Sequence, residues 1–182
     1  MNTSSKYKLV HWIFMALCCA LGMFTKGIIL PLSNMVTAML GTPGGIATAF
    51  SLMFLAVGAR LCSVPFAGTL MGLVQGFLAI FLGMTGSMGA LAFVGYIIPG
   101  IIIDICYFLA KKMNIQNLMV IVVPISNGIA SVSAAVFKNC VTYRIGGSLL
   151  VLYIFVALVS GIVFGILGVA LLKILKPIIR FE

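Results

Sequence analysis

The chain has 182 residues, of which 63% are hydrophobic and 7% charged, with a mean hydropathy of +1.32. That balance leaves too little polar surface to keep a domain of this size soluble. A net charge of +9 would point to nucleic acid in a soluble protein, but here the basic residues separate apolar runs, where they serve as topology signals and lipid-headgroup contacts.

Residues 27–59, 61–103, 113–137 and 145–172 contain no charged side chain. A bilayer core of about 30 Å needs ~20 apolar residues in a helix. Lipid offers no partner to backbone polar groups, so the spans should be helices. Six are predicted. The first covers residues 9–30 and follows Lys6 and Lys8. This start has the layout of a signal peptide, but the apolar run is too long and no convincing cleavage site follows, so it reads as a transmembrane helix. A loop with Pro31, Asn34, Gly41, Pro43 and Gly44 comes next, although residues 35–40 also have helical character. The second helix covers 45–59 and stops near Arg60, and the third covers 64–82. The turn at residues 83–87 leads to a fourth helix over 88–110, ended by Lys111 and Lys112. The fifth covers 117–138, residues 139–148 form a loop, and the sixth covers 149–175. The expected fold is one all-α integral membrane domain over 1–182, a compact bundle of six transmembrane helices.

Orientation follows from the basic residues. With the N-terminus in the cytoplasm, the inner side holds Lys6, Lys8, Arg60, Lys111, Lys112, Lys173, Lys176 and Arg180. The outer side holds only Lys26, Lys138 and Arg144. This satisfies the positive-inside rule with both termini cytoplasmic.

Polar residues at membrane depth tend to face the bundle interior. Tyr96, Gly100, Asp104 and Tyr107 share one face of the fourth helix, and Asn127, Ser131, Ala134 and Lys138 share one face of the fifth. Gly68, Gly72 and Gly76 form a ridge beside Gln75, and Ala157, Gly161, Gly165 and Gly168 form a second small stripe; both permit close helix contact. Asp104 is expected to be structural, paired with a cation such as Arg60 or held neutral by burial.

The three outer cations are not required by topology. Lys26, Lys138 and Arg144 gather at one end with Asn34, Asn139 and Tyr143, and no acid is there to neutralise them. With Gln75, Tyr96 and Asn127 they suggest a pocket for a ligand bearing carbonyl, carboxylate or phosphate groups. The bland reading is that the cations snorkel to lipid phosphates. Catalysis has little support: His11 is the only histidine, and Asp104 and Glu182 are the only acids. No carboxylate pair, Ser/His pair or metal cluster can be assembled, so no enzyme and no cofactor is predicted. No GxxxxGK[ST] motif is present.

Helix 1 carries Ala16-Leu17-Cys18-Cys19-Ala20, an AxxxA motif. The run Gly83-Met84-Thr85-Gly86-Ser87-Met88 precedes Pro99-Gly100 and Asp104, and the outward loops are rich in Gly, Pro and polar residues. With six helices and both termini inside, the pattern resembles the S component of energy-coupling-factor (ECF) transporters, closest in layout to the thiamine-pathway branch. The resemblance implies a substrate-capture subunit in the cell membrane, bacterial plasma membrane if it holds. It implies a vitamin, precursor or nucleobase-like ligand, and a transmembrane T subunit plus two ATPase subunits as partners. Ala16 and Ala20 would seat the T subunit. Two other readings stay open: a stand-alone transporter coupled to protons through Asp104, and a non-transporting membrane scaffold.

Overall fold

The structure, a computed structural model, describes residues 3–39, 45–62, 64–114 and 119–178. The described residues form six α-helices and no strand. They are α1 (Thr3–Met39), α2 (Ile46–Leu61), α3 (Ala67–Phe81), α4 (Ala92–Lys112), α5 (Met119–Lys138) and α6 (Gly147–Ile178), with a 3-10 segment at Gly86–Leu91 before α4 and a π-type turn at Asn139–Tyr143 after α5. The expected loop residues Gly41, Pro43 and Gly44, the first residue expected for the fifth helix (Asn117), and Arg180 and Glu182 lie outside the described residues.

Four stretches are long and apolar enough to cross a membrane: Leu9–Met39, Met88–Lys112, Val120–Tyr143 and Gly147–Leu175. Helices α2 and α3 have 16 and 15 residues. At 1.5 Å per residue they reach only about 22–24 Å, short of a full hydrocarbon core. α2 lies at the centre and packs against all five other helices. Every residue from Ser51 to Ala59 on it is buried, as expected for a helix that is apolar on all faces.

The first helix corrects the sequence reading. It runs through Pro31 to Met39 rather than ending at Leu30, so Asn34 sits on a helix and not in a loop. A proline removes one intrahelical hydrogen bond and strains one turn, and here the following turns are held by packing. Ser33 and Thr37 are buried while Leu32, Met35 and Val36 face outward. The Ser33 hydroxyl accepts a hydrogen bond from the Ala47 backbone N–H at 3.3 Å. This supplies from α1 the N-terminal cap that Gly45 cannot give α2.

Glycines set the closest helix contacts, as the small-residue stripes predicted. A Cβ at Gly72 would meet the Tyr96 carbonyl oxygen at 2.6 Å, and one at Gly76 would meet the Phe93 ring at 2.7 Å. That is the α3/α4 seam. On the α5/α6 seam a Cβ at Gly161 would stand 2.7 Å from the Gly128 Cα, and Gly165 lies against Pro124. Asp104 completes the α3/α4 seam. Its carboxylate accepts from the backbone N–H of Gly68 (2.9 Å) and of Thr69 (2.7 Å), and from the Thr69 hydroxyl (2.6 Å). Phe66, the residue before α3, offers no side-chain cap, so Asp104 caps α3 from the neighbouring helix. A negative charge is favourable at a helix N-terminus.

Candidate ligand cavity

Successive helices pack antiparallel, which brings six segments to one end of the bundle: the last third of α1, the starts of α2 and α4, and the ends of α3 and α5 with the turn that leads to α6. A cavity of about 220 Å³ opens among them. Lys26, Leu30 and Asn34 line it from successive turns of α1, and Thr48, Ser51 and Leu52 from the first turns of α2. Gln75 comes from α3, Thr85 from the turn after it, Tyr96 and Pro99 from α4, Ala134 and Lys138 from α5, and Tyr143 from the π-type turn.

Two ammonium groups reach this space, and each is held against a tyrosine. Lys26 Nζ donates to the Tyr96 hydroxyl at 2.8 Å and stands 4.3 Å from that ring's centroid. Lys138 Nζ stands 5.1 Å from the centroid of the Tyr143 ring. The ring faces attract the cations and orient them without neutralising their charge. Among the described residues no Asp or Glu lines the cavity. An anion entering it therefore meets two positioned donors in a low-dielectric setting, where charge-assisted hydrogen bonds are strong.

The floor is polar in another way. Gln75 is completely buried, and neither its amide nitrogen nor its amide oxygen has a hydrogen-bond partner among the described residues. The buried Ser51 hydroxyl beside the same space also has none. A Cβ at Gly22 would stand 2.7 Å from Gln75 Nε2 and 3.2 Å from the Ser51 carbonyl oxygen. Glycine at that position lets α1, α2 and α3 meet at the amide. Buried polar groups are nearly always satisfied, and leaving one unmade costs about 1–3 kcal/mol.

Of the residues proposed for the pocket from sequence, Lys26, Asn34, Gln75, Tyr96, Lys138 and Tyr143 line this cavity together. Asn127, Asn139 and Arg144 are not among its lining residues. Asn127 donates to the carbonyls of Ala49 (3.3 Å) and Gly161 (2.7 Å) and so ties α5 to α2 and α6. Asn139 brackets the connection to α6: its amide oxygen accepts from the Ile145 N–H at 2.9 Å and its amide nitrogen donates to the Ile145 carbonyl at 3.1 Å. Arg144 is exposed and adopts a left-handed backbone conformation with φ of 50°. Thr48, Ser51 and Thr85 were missed. Thr48 and Ser51 lie three residues apart in a helix whose only other polar side chain is Arg60 in its last turn, a pairing on one face that the sequence does display.

A second cavity, of about 240 Å³, lies at the opposite end of α2 between Arg60, Tyr107, Lys111 and Val122. Tyr107 donates to the Ala56 carbonyl at 2.8 Å above it. Ala16 and Ala20 are exposed on α1, on a side that also presents Leu17, Leu21 and Phe24. Among the described residues no group of His, Cys, Asp and Glu could hold a metal ion. Comparison with known proteins adds no relative. No family model, curated protein or solved structure matches the chain.

Proposed function

We propose that this protein is the substrate-capture subunit of an ECF-type importer, with six membrane-spanning helices and both termini in the cytoplasm. The observation that carries the proposal is the cavity between Lys26, Lys138, Gln75 and Tyr96, at the start of a helix, α2, that is buried along most of its length. In this orientation the cavity faces outward, on the side with fewer basic residues. A small micronutrient enters from outside and is held by the two ammonium groups and the buried polar floor. The short α2 is compatible with a span because protein surrounds it and cavities lie at both its ends; irregular or shortened elements at membrane depth are tolerated where protein or a water-lined space covers them.

A chain of this kind has no ATP-binding motif of its own. Energy comes from two ATPase subunits through a transmembrane T subunit, for which the exposed Ala16 and Ala20 on α1 offer a flat seat. The engagement of Asp104 with the start of α3 favours a structural role for that carboxylate over proton coupling. Co-expression with candidate T and ATPase subunits tests the reading. The expected result is co-purification of all three partners with this chain and ATP-dependent uptake. A chain that purifies alone and transports unaided contradicts it.

A further inference from the structure

We infer that the cavity recognises a small planar anion that carries a lactam edge, with the lactam paired to Gln75 and the anionic group held by Lys26 and Lys138. The inference rests on the capture reading above and narrows the ligand to a chemical class.

Gln75 carries the argument. A primary amide presents one acceptor and two donors side by side. Gln75 lines the cavity, and both ends of its amide are buried and lack a partner among the described residues. A carboxylate alone can take the amide N–H but leaves the carbonyl oxygen unmet. An aliphatic or aromatic ring meets neither. A lactam, with N–H and C=O on adjacent ring atoms, meets both: its carbonyl accepts from Nε2 and its N–H donates to Oε1. The pairing is the same whichever way the amide is turned. α1 passes close to the amide at Gly22, where even a Cβ would stand 2.7 Å from Nε2.

The anionic end follows from the same helix. Lys26 lies one turn beyond Gly22 on α1, about 6 Å of rise. A single six-membered ring can carry the lactam at the floor and an exocyclic carboxylate or phosphate toward the lysines. Lys138 reaches the same cavity from α5, and among the described residues no carboxylate side chain opposes an anion there. A cavity of about 220 Å³ is below the range of about 300–1,000 Å³ that holds drug-sized molecules, which favours a single ring over a larger ligand. The Ser51 hydroxyl, also unpartnered at the floor, can bind a second ring substituent.

The test uses the full chain in detergent with three probes of similar size: 6-oxo-1,6-dihydropyridine-3-carboxylate, its N-methyl lactam, and benzoate. Calorimetry on the parent should show the first binding about tenfold or more tighter than the other two, since a site built to hydrogen-bond a group rejects the analogue without it. In Gln75→Met, which keeps length and loses both polar groups, the first probe and benzoate should converge to within about threefold, the residue of charge recognition alone. Equal binding of the lactam and its N-methyl form by the parent overturns the inference, as does failure of the parent to bind any of the three. The comparison on the parent requires no variant to fold. It is also separable from the importer assignment. A chain that assembles with T and ATPase subunits but does not distinguish the probes loses only the lactam edge. One that distinguishes them but never assembles keeps the site and loses the importer.

Discussion

Replacing Asp104 should unfold this protein more easily, and the size of the loss follows from its contacts. Gly68 and Thr69 are the second and third residues of α3, so their N–H groups have no acceptor within their own helix. Both are satisfied by Asp104, at 2.9 and 2.7 Å, and the Thr69 hydroxyl adds a third bond at 2.6 Å. Hydrogen bonds to a charged group contribute about 1.5–3 kcal/mol each, and three that share one carboxylate are not additive. Asp104→Ala should therefore cost about 3–5 kcal/mol. Asp104→Asn should be nearly as costly, because its NH2 group would face a donor where the carboxylate now accepts. Unfolding titrations with SDS in mixed micelles can measure both. Thr69→Val, which removes only the hydroxyl bond, should cost about 1–2 kcal/mol. A stability of Asp104→Ala within about 0.5 kcal/mol of the parent would refute the capping role. Unchanged stability with lost transport would restore the proton-coupling reading.

Other expectations follow from the same structure. Ala16→Trp or Ala20→Trp should prevent assembly with a T subunit by steric exclusion while ligand binding to the isolated chain survives; equal loss of both would place these alanines in the bundle's own packing. Gly72→Ala forces a methyl group to within 2.6 Å of the Tyr96 carbonyl and should destabilise the protein by about 1–3 kcal/mol, read in the same SDS titration. Asn127→Ala should lower stability by about 1–2 kcal/mol through two lost interhelical bonds, whereas Arg144→Ala should change ligand affinity less than twofold. Cysteine placed at Arg144 should react with an impermeant maleimide from outside the cell, and cysteine at Lys111 should not.

Much of the fold was legible because charge-free runs and glycine stripes follow from the bilayer itself. The Gly68–Gly72–Gly76 ridge was visible as spacing, and it forms the α3/α4 seam. Helix ends were less legible. Pro31 suggested a stop, but the buried turn through Ser33 and Thr37, with the Ser33 hydroxyl capping the start of α2, depends on a segment many residues away and outweighs a local propensity. At the site, Lys26, Gln75, Tyr96 and Lys138 could be grouped from topology alone, since alternating helices bring their positions to one end. Asn127 and Asn139 could not be separated from them by sequence. An amide that binds a ligand and one that ties helices together are the same residue type at the same depth, and only the partner atoms distinguish them. Thr48 and Ser51 were passed over because short hydroxyl side chains in membrane helices usually bond to their own backbone. Ser131 and Ser160 do so here.

The central claim is that the space between Lys26 and Lys138 holds a small anionic solute taken from outside. Native mass spectrometry of the full chain, purified from cells grown in rich medium, tests it most directly. The account predicts one bound molecule too small to be a lipid, retained by the parent and lost from the Lys26→Met/Lys138→Met double variant, with the folded state preserved. Retention of lipid alone by the parent, or equal retention of the solute by the double variant, would contradict it.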